Sequence, residues 1–169
     1  DVAQRLGYRP VGDGRLRFLA DVPGNEIFRV EVAEKTYRLP HLPQLWDGLS
    51  ILHLSDLHFT GTPDRAYFEG ITKLSAACNA DMIVFTGDLL DDQRLIEWLP
   101  DTLGQLQAPL GCFSVLGNHD WYLDAEQIRQ RMIQAGWQSM AGQTVTLEHQ
   151  GHLLTIGGTE NPWMGTFPD

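Results

Sequence analysis

Three short apolar runs stand out along the chain: Ile51-Leu52-His53-Leu54, Met82-Ile83-Val84-Phe85 and Cys112-Phe113-Ser114-Val115-Leu116. Runs of this length, bounded by turn-forming residues, suit strands buried in a parallel sheet. They predict strands over 49–54, 81–86 and 111–116. Between them the apolar spacing becomes that of a helix. Tyr67, Ile71, Leu74 and Cys78 form one stripe, which predicts a helix over 63–79 with Thr62 as cap and Pro63 in its first turn. Leu95, Leu99, Leu103 and Leu106 form a second stripe, in which Pro100 kinks or splits the helix. Ala125, Ile128, Met132 and Ala135 form a third, opened by an Asp124–Gln127 capping pair and stopped by Gly136.

The flanks read differently. Residues 1–26 are rich in Gly, Arg and Asp and have little period. Phe28, Val30 and Val32 alternate and are followed by Tyr37 and Leu39, which predicts a strand over 27–39, bent or folded back around Glu34-Lys35. Pro40, Pro43 and Gly48 mark a connector. Near the other end Val145, Leu147 and His149 alternate, Gln150-Gly151 reads as a tight turn, and Leu153 to Ile156 reads as a returning strand: a late β-hairpin. The chain thus divides into an irregular lead-in over 1–47 and an α/β unit over 48–169 with mostly parallel central strands.

Each apolar run leads straight into a polar cluster. The first ends in Asp56 and His58, the second in Gly87-Asp88, the third in Gly117-Asn118-His119-Asp120. Singly, each reads at least as well as a turn or a surface loop. Together they recur at steps of about 30 residues, the length of one β-α-β unit. The strands are then parallel neighbours joined by right-handed crossovers, and their carboxyl ends lie on one edge, where ligands bind in open α/β sheets. The clusters converge there. An imidazole with carboxylates suits divalent metals of the zinc, manganese or iron type. Asp88 is the central carboxylate, with two oxygens able to bridge two cations. Asp56 and His58 complete one side of the first, and Asn118 offers a carbonyl oxygen to the second. Two dications about 3.5–4 Å apart activate a water and clamp a phosphoryl group. His119 stands as acid or electrostatic partner to the substrate phosphate, and Asp120 as the carboxylate that orients it.

Composition narrows this little. The chain has 169 residues, 43% hydrophobic and 20% charged, with a formal charge of −10. That balance gives no basic stripe for general nucleic-acid binding. Cys78 and Cys112 build neither a disulfide framework nor a zinc–thiolate site. No run has the roughly 20 apolar residues of a membrane span. The chain starts at Asp1, so an upstream anchor remains open, and the expected address is cytoplasmic or membrane-associated.

Ser-Asp-Leu-His at 55–58, Gly-Asp-Leu-Leu-Asp at 87–91 and Gly-Asn-His-Asp at 117–120 resemble the first three signature blocks of the calcineurin-like metallophosphoesterase superfamily. The resemblance runs over roughly 48–160. It implies an αββα sandwich and hydrolysis of a phosphate mono- or diester at two divalent metal ions (Mn, Fe, Zn or Mg). It also implies Asp56, His58, Asp88 and Asn118 as metal ligands, and Asn118 and His119 on the substrate phosphate. Asp92-Gln93 departs from the Arg-Gly of the protein serine/threonine phosphatases, and Leu89-Leu90-Asp91 lacks the tyrosine of purple acid phosphatases. The run from Pro40 to Phe59 is most similar to bacterial stand-alone phosphohydrolases, often membrane-associated. Two later blocks that supply three more histidines are missing, and His41, His53, His149 and His152 lack their context. His53 reads as a structural histidine in a buried strand, and His149 and His152 as solvated. The chain therefore reads as the N-terminal part of a longer phosphoesterase. The alternatives are an inactive metal-binding or interaction scaffold of the same fold, and a nuclease of the same superfamily.

Overall fold

The computed structural model describes residues 2–149 and 151–164. A short helix α1 (Val2–Leu6) opens the lead-in, and 3₁₀ turns form at Arg17–Asp21 and Gln44–Trp46. Then come β1 (Ile51–Leu54), α2 (Arg65–Ala76) and β2 (Met82–Phe85). 3₁₀ segments at Gln93–Asp101 and Leu103–Gln105 lead to β3 (Cys112–Ser114), α3 (Asn118–Trp121), α4 (Ala125–Gln134) and β4 (Gln138–Ser139). A hairpin of β5 (Gln143–His149) and β6 (His152–Gly158) closes the described chain. β1 to β4 form one four-stranded sheet in that order, parallel throughout.

Strand alternation gives this sheet two different faces. Leu52, Leu54, Ile83, Phe85 and Cys112 point to the helical side. There they join Tyr67 and Phe68 of α2, Ile96, Leu99 and Leu103, Ile128 and Met132 of α4, and Trp137 in one core. Met82 and Phe113 point to the other side, where they pack with Met140 and with Val145, Leu147 and Ile156 of the hairpin. The layers are therefore helices, parallel sheet and hairpin, an α/β arrangement in keeping with the αββα expectation.

Four local expectations change. No strand forms over 27–39: Phe28 is buried against Tyr67, whereas Val32, Tyr37 and Leu39 are exposed. Alternation alone did not supply a neighbouring strand to pair with. α2 starts at Arg65 with Asp64 as its cap, the carboxylate accepting the Tyr67 N–H at 3.1 Å. Thr62 is held in an extended segment, where its carbonyl accepts the Gly12 N–H and Pro63 bridges Val11. The Leu95–Leu106 stripe is 3₁₀ rather than α, because Pro100 has no N–H to donate and obstructs the preceding turn. β1 is an edge strand rather than a buried one, so His53 is exposed; its Nε2 lies 2.7 Å from Thr86 Oγ1. The turn expected at Gln150-Gly151 falls partly outside the described residues, since Gln150 is not among them. α3 is too short to leave a period in the sequence. His149, expected to be solvated, is exposed but lies against the buried Trp46, with ring centroids 5.7 Å apart.

Candidate metal centre

The loops that follow β1, β2 and β3 meet at the carboxyl edge. Backbone bonds lace the first two together: Asp56 N–H donates to Gly87 O at 3.0 Å, His58 to Asp88 O at 3.0 Å and Phe59 to Leu89 O at 2.8 Å. Asp120 ties the third to the second. Its buried carboxylate accepts the N–H groups of Asp88, Leu89 and Gly117 at 2.9 Å each and of Leu90 at 3.2 Å. Burial pushes this carboxyl up in pKa, against the pull of the N–H donors. The two glycines have a spatial reason. A Cβ at Gly87 would strike the backbone of Gly117, and one at Gly117 would strike the carboxylate of Asp88.

This lacing puts Asp56, His58 and Asp88 in left-handed backbone conformations, with φ of 56°, 43° and 58°. Among the described residues one further non-glycine residue, Asn79, has positive φ. Such conformations are uncommon for residues with a Cβ, and they gather where the surrounding structure fixes them, often at functional sites. They aim three side chains at one point. His58 Nε2 lies 3.8 Å from Asp56 Oδ1 and 3.9 Å from Asp88 Oδ2. These ligand atoms all lie within 4.8 Å of one another. The opposite ring nitrogen, Nδ1, lies 3.2 Å from Asp91 Oδ1.

His119 completes the cluster. Its N–H donates to Asp88 Oδ1 at 3.0 Å, and its Nδ1 lies 2.6 Å from the same Asp91 oxygen that His58 meets. The two imidazoles stand edge to face, centroids 4.6 Å apart. Asp91 pushes the His119 pKa up, chiefly through that hydrogen bond. Asn118 opens α3 between Gly117 and His119, both of which abut Asp88.

The donor chemistry fits a divalent cation. Among the described residues, histidines are the only ion-pair partners of Asp56, Asp88 and Asp91. A carboxylate on the far nitrogen of a ligating imidazole is the usual way to fix its orientation.

Asp56, His58 and Asp88 come together at one point with His119 beside them, and Asn118 immediately precedes His119 in α3. Asp120, expected to orient His119, accepts backbone N–H groups, and the carboxylate within hydrogen-bond distance of the His119 ring is Asp91. Asp91 is the residue that reasoning passed over. Its signal was its place three residues after Asp88 in the second block.

The calcineurin-like phosphoesterase family profile matches residues 49–164, so the chain belongs to that family of metal-binding hydrolases. It is 38% identical over 87 residues to the UDP-2,3-diacylglucosamine pyrophosphatase LpxG of Chlamydia muridarum, covering 50% of this chain and 26% of that protein. An uncharacterized metallophosphoesterase of Aquifex aeolicus is 27% identical over 137 residues, 80% of this chain and 51% of the relative. A transmembrane protein with metallophosphoesterase domain from Danio rerio is 35% identical over 82 residues, 48% and 19% of the two chains. The chain thus spans about a fifth to a half of the length of these curated relatives. No solved structure gives a significant match. Among the described residues no helix is long and apolar enough to cross a membrane.

Proposed function

We propose that the protein hydrolyses a phosphate mono- or diester, with Asp56, His58, Asp88 and Asn118 holding two divalent cations. The observation that carries this reading is His58, whose Nε2 faces the carboxylates of Asp56 and Asp88 while its Nδ1 meets Asp91. Two bound dications would supply an activated water and neutralise charge on the phosphoryl oxygens. Asp88 offers one oxygen to His58 and keeps the other on the His119 N–H, so it ties the two halves of the site together. His119 contacts the substrate phosphate, its ring held by Asp91. Asp120 acts at one remove, by fixing the backbone that presents Asp88. The name of the Chlamydia relative supports an ester of a pyrophosphate as one substrate class, and that of the Danio relative supports membrane association of the full-length protein.

The test is hydrolysis of p-nitrophenyl phosphate by the Mn²⁺-loaded full-length protein. Activity in the wild type, falling to background in Asp88→Ala, is expected; undiminished turnover in that variant refutes the assignment.

A further inference from the structure

An exposed aromatic row begins in the chain just after Asn118 and His119. Trp121, Tyr122 and Trp163 are 46%, 71% and 46% exposed. Their rings nonetheless touch in series, with centroids 5.2 Å apart for Trp121–Tyr122 and 6.4 Å apart for Trp121–Trp163. Exposed aromatic side chains in mutual contact are unlike scattered surface hydrophobics, which need no explanation.

Chain geometry attaches the row to the site. Trp121 lies three residues after Asn118 in α3, and Tyr122, the cap of that helix, lies three after His119. Residues three apart on a helix are face neighbours, with Cβ atoms about 5–6 Å apart. The row therefore begins beside the positions assigned to the second cation and the phosphate. Its far end is also fixed. Trp163 N–H donates to Glu160 O at 3.0 Å. The Glu160 carboxylate is fully buried, paired bidentately with Arg129 at 2.8 Å and accepting the Leu116 N–H at 2.8 Å. Leu116 is the residue just before Gly117. The segment carrying Trp163 is thus tied to the loop that carries Asn118.

Resting on the phosphoesterase reading, we propose that Trp121, Tyr122 and Trp163 form a stacking ledge for a planar ring on the organic side of the phosphate ester, and so set substrate preference. A ring in the substrate shares the flat, polarizable face that these side chains present, and such stacking tolerates any base or aryl group. A lipid surface would also take exposed Trp and Tyr. This chain's formal charge of −10, however, opposes an anionic lipid surface at the row.

The test compares two monoesters with the Mn²⁺-loaded full-length protein, p-nitrophenyl phosphate with a ring and glycerol phosphate without one, both read by phosphate release. One stacking contact is worth roughly a fivefold to hundredfold change in affinity. Trp121→Ala and Trp163→Ala should each raise KM for the ring-bearing ester at least about fivefold at unchanged kcat. The KM for glycerol phosphate should not move, which also reports an intact fold. Trp121→Phe should restore the ring preference. Equal effects on both esters, or none on either, overturn the ledge. So does loss of vesicle binding in Trp121→Ala with the ester preference intact. If the wild type hydrolyses neither ester, the phosphoesterase reading fails. Calorimetry with adenosine 5′-monophosphate then judges the ledge alone: saturable binding lost in Trp121→Ala supports it, and no binding by the wild type overturns it.

Discussion

The two edges of the parallel sheet use the same residue type to opposite ends. At the amino edge Asp81 precedes β2, and its Oδ2 accepts both the N–H and the hydroxyl of Ser50 at 2.8 and 2.6 Å. Every demand of that contact is met by the neighbouring strand's own lead-in. At the carboxyl edge Asp56 and Asp88 follow β1 and β2, and they face His58 across gaps of 3.8 and 3.9 Å. Those gaps are too long for hydrogen bonds and suited to a shared cation. Backbone conformation divides the same way. Asn79, between α2 and β2, has φ of 49°, ordinary for an asparagine just past a helix end. Asp56, His58 and Asp88 hold comparable angles without that excuse. The amino edge stitches strands together, whereas the carboxyl edge stores an arrangement that another part of the molecule must keep in place.

Asp120 is that part, and removing it should give the largest effect. Asp120→Ala orphans four backbone N–H groups in a buried position. A loss of about 3–5 kcal/mol in unfolding free energy is expected, measured by denaturant titration. A loss below about 1 kcal/mol would show that the carboxyl edge holds its shape without it. Asp91 comes next. It touches both histidine rings but no backbone donor of its own loop. Asp91→Asn should weaken Mn²⁺ binding about 10–100-fold while leaving the denaturation midpoint in place. A change in midpoint with unchanged metal affinity would make Asp91 structural, like Asp120.

The amino edge should respond least, and to pH. Ser50 holds the Asp81 carboxyl below its ordinary value, first through its hydroxyl and then through its N–H. A lowered folded-state pKa means stability that is complete above the unfolded value of about 3.9 and fades as pH falls through the folded value. The pair sits at the surface, with Asp81 half-buried and Ser50 exposed, so Asp81→Ala should lose only about 1 kcal/mol at neutral pH. That difference from wild type should shrink as pH falls below about 4, with phosphoesterase activity untouched at neutral pH. A difference that grows on acidification would reverse the assignment.

Much of this contrast is written in the sequence at the level of spacing. Runs of apolar residues at steps of about 30 placed β1, β2 and β3 in one parallel sheet, and the polar residues after each run therefore had to share an edge. Asp56, His58, Asp88, Asn118 and His119 needed nothing finer than that. What spacing did not carry was partnership. Phe28, Val30 and Val32 alternate like a strand, yet no ladder forms there, because a strand exists only opposite another. Asp120 is expected beside the His119 ring and meets backbone instead, and Asp91, given no role by spacing, stands there. Both are carboxylates near His119 in sequence or in block, and their partners depend on the close approach of the second and third loops, which spacing does not encode. Pro100, expected to kink or split a helix, lies inside the 3₁₀ segment Gln93–Asp101, and the split falls at Thr102. The 3₁₀ winding around it depends on packing that periodicity does not encode.

The central claim is that the carboxylates after β1 and β2 converge to hold divalent cations, with Asp88 shared between them. The direct measurement is a Mn²⁺ titration of the full-length protein and of Asp88→Asn, with bound ions counted by electron paramagnetic resonance. Two bound ions in the wild type, and binding weakened at least about a hundredfold at both positions in the variant, is the predicted result. Equal stoichiometry and equal affinity in the two proteins would contradict it.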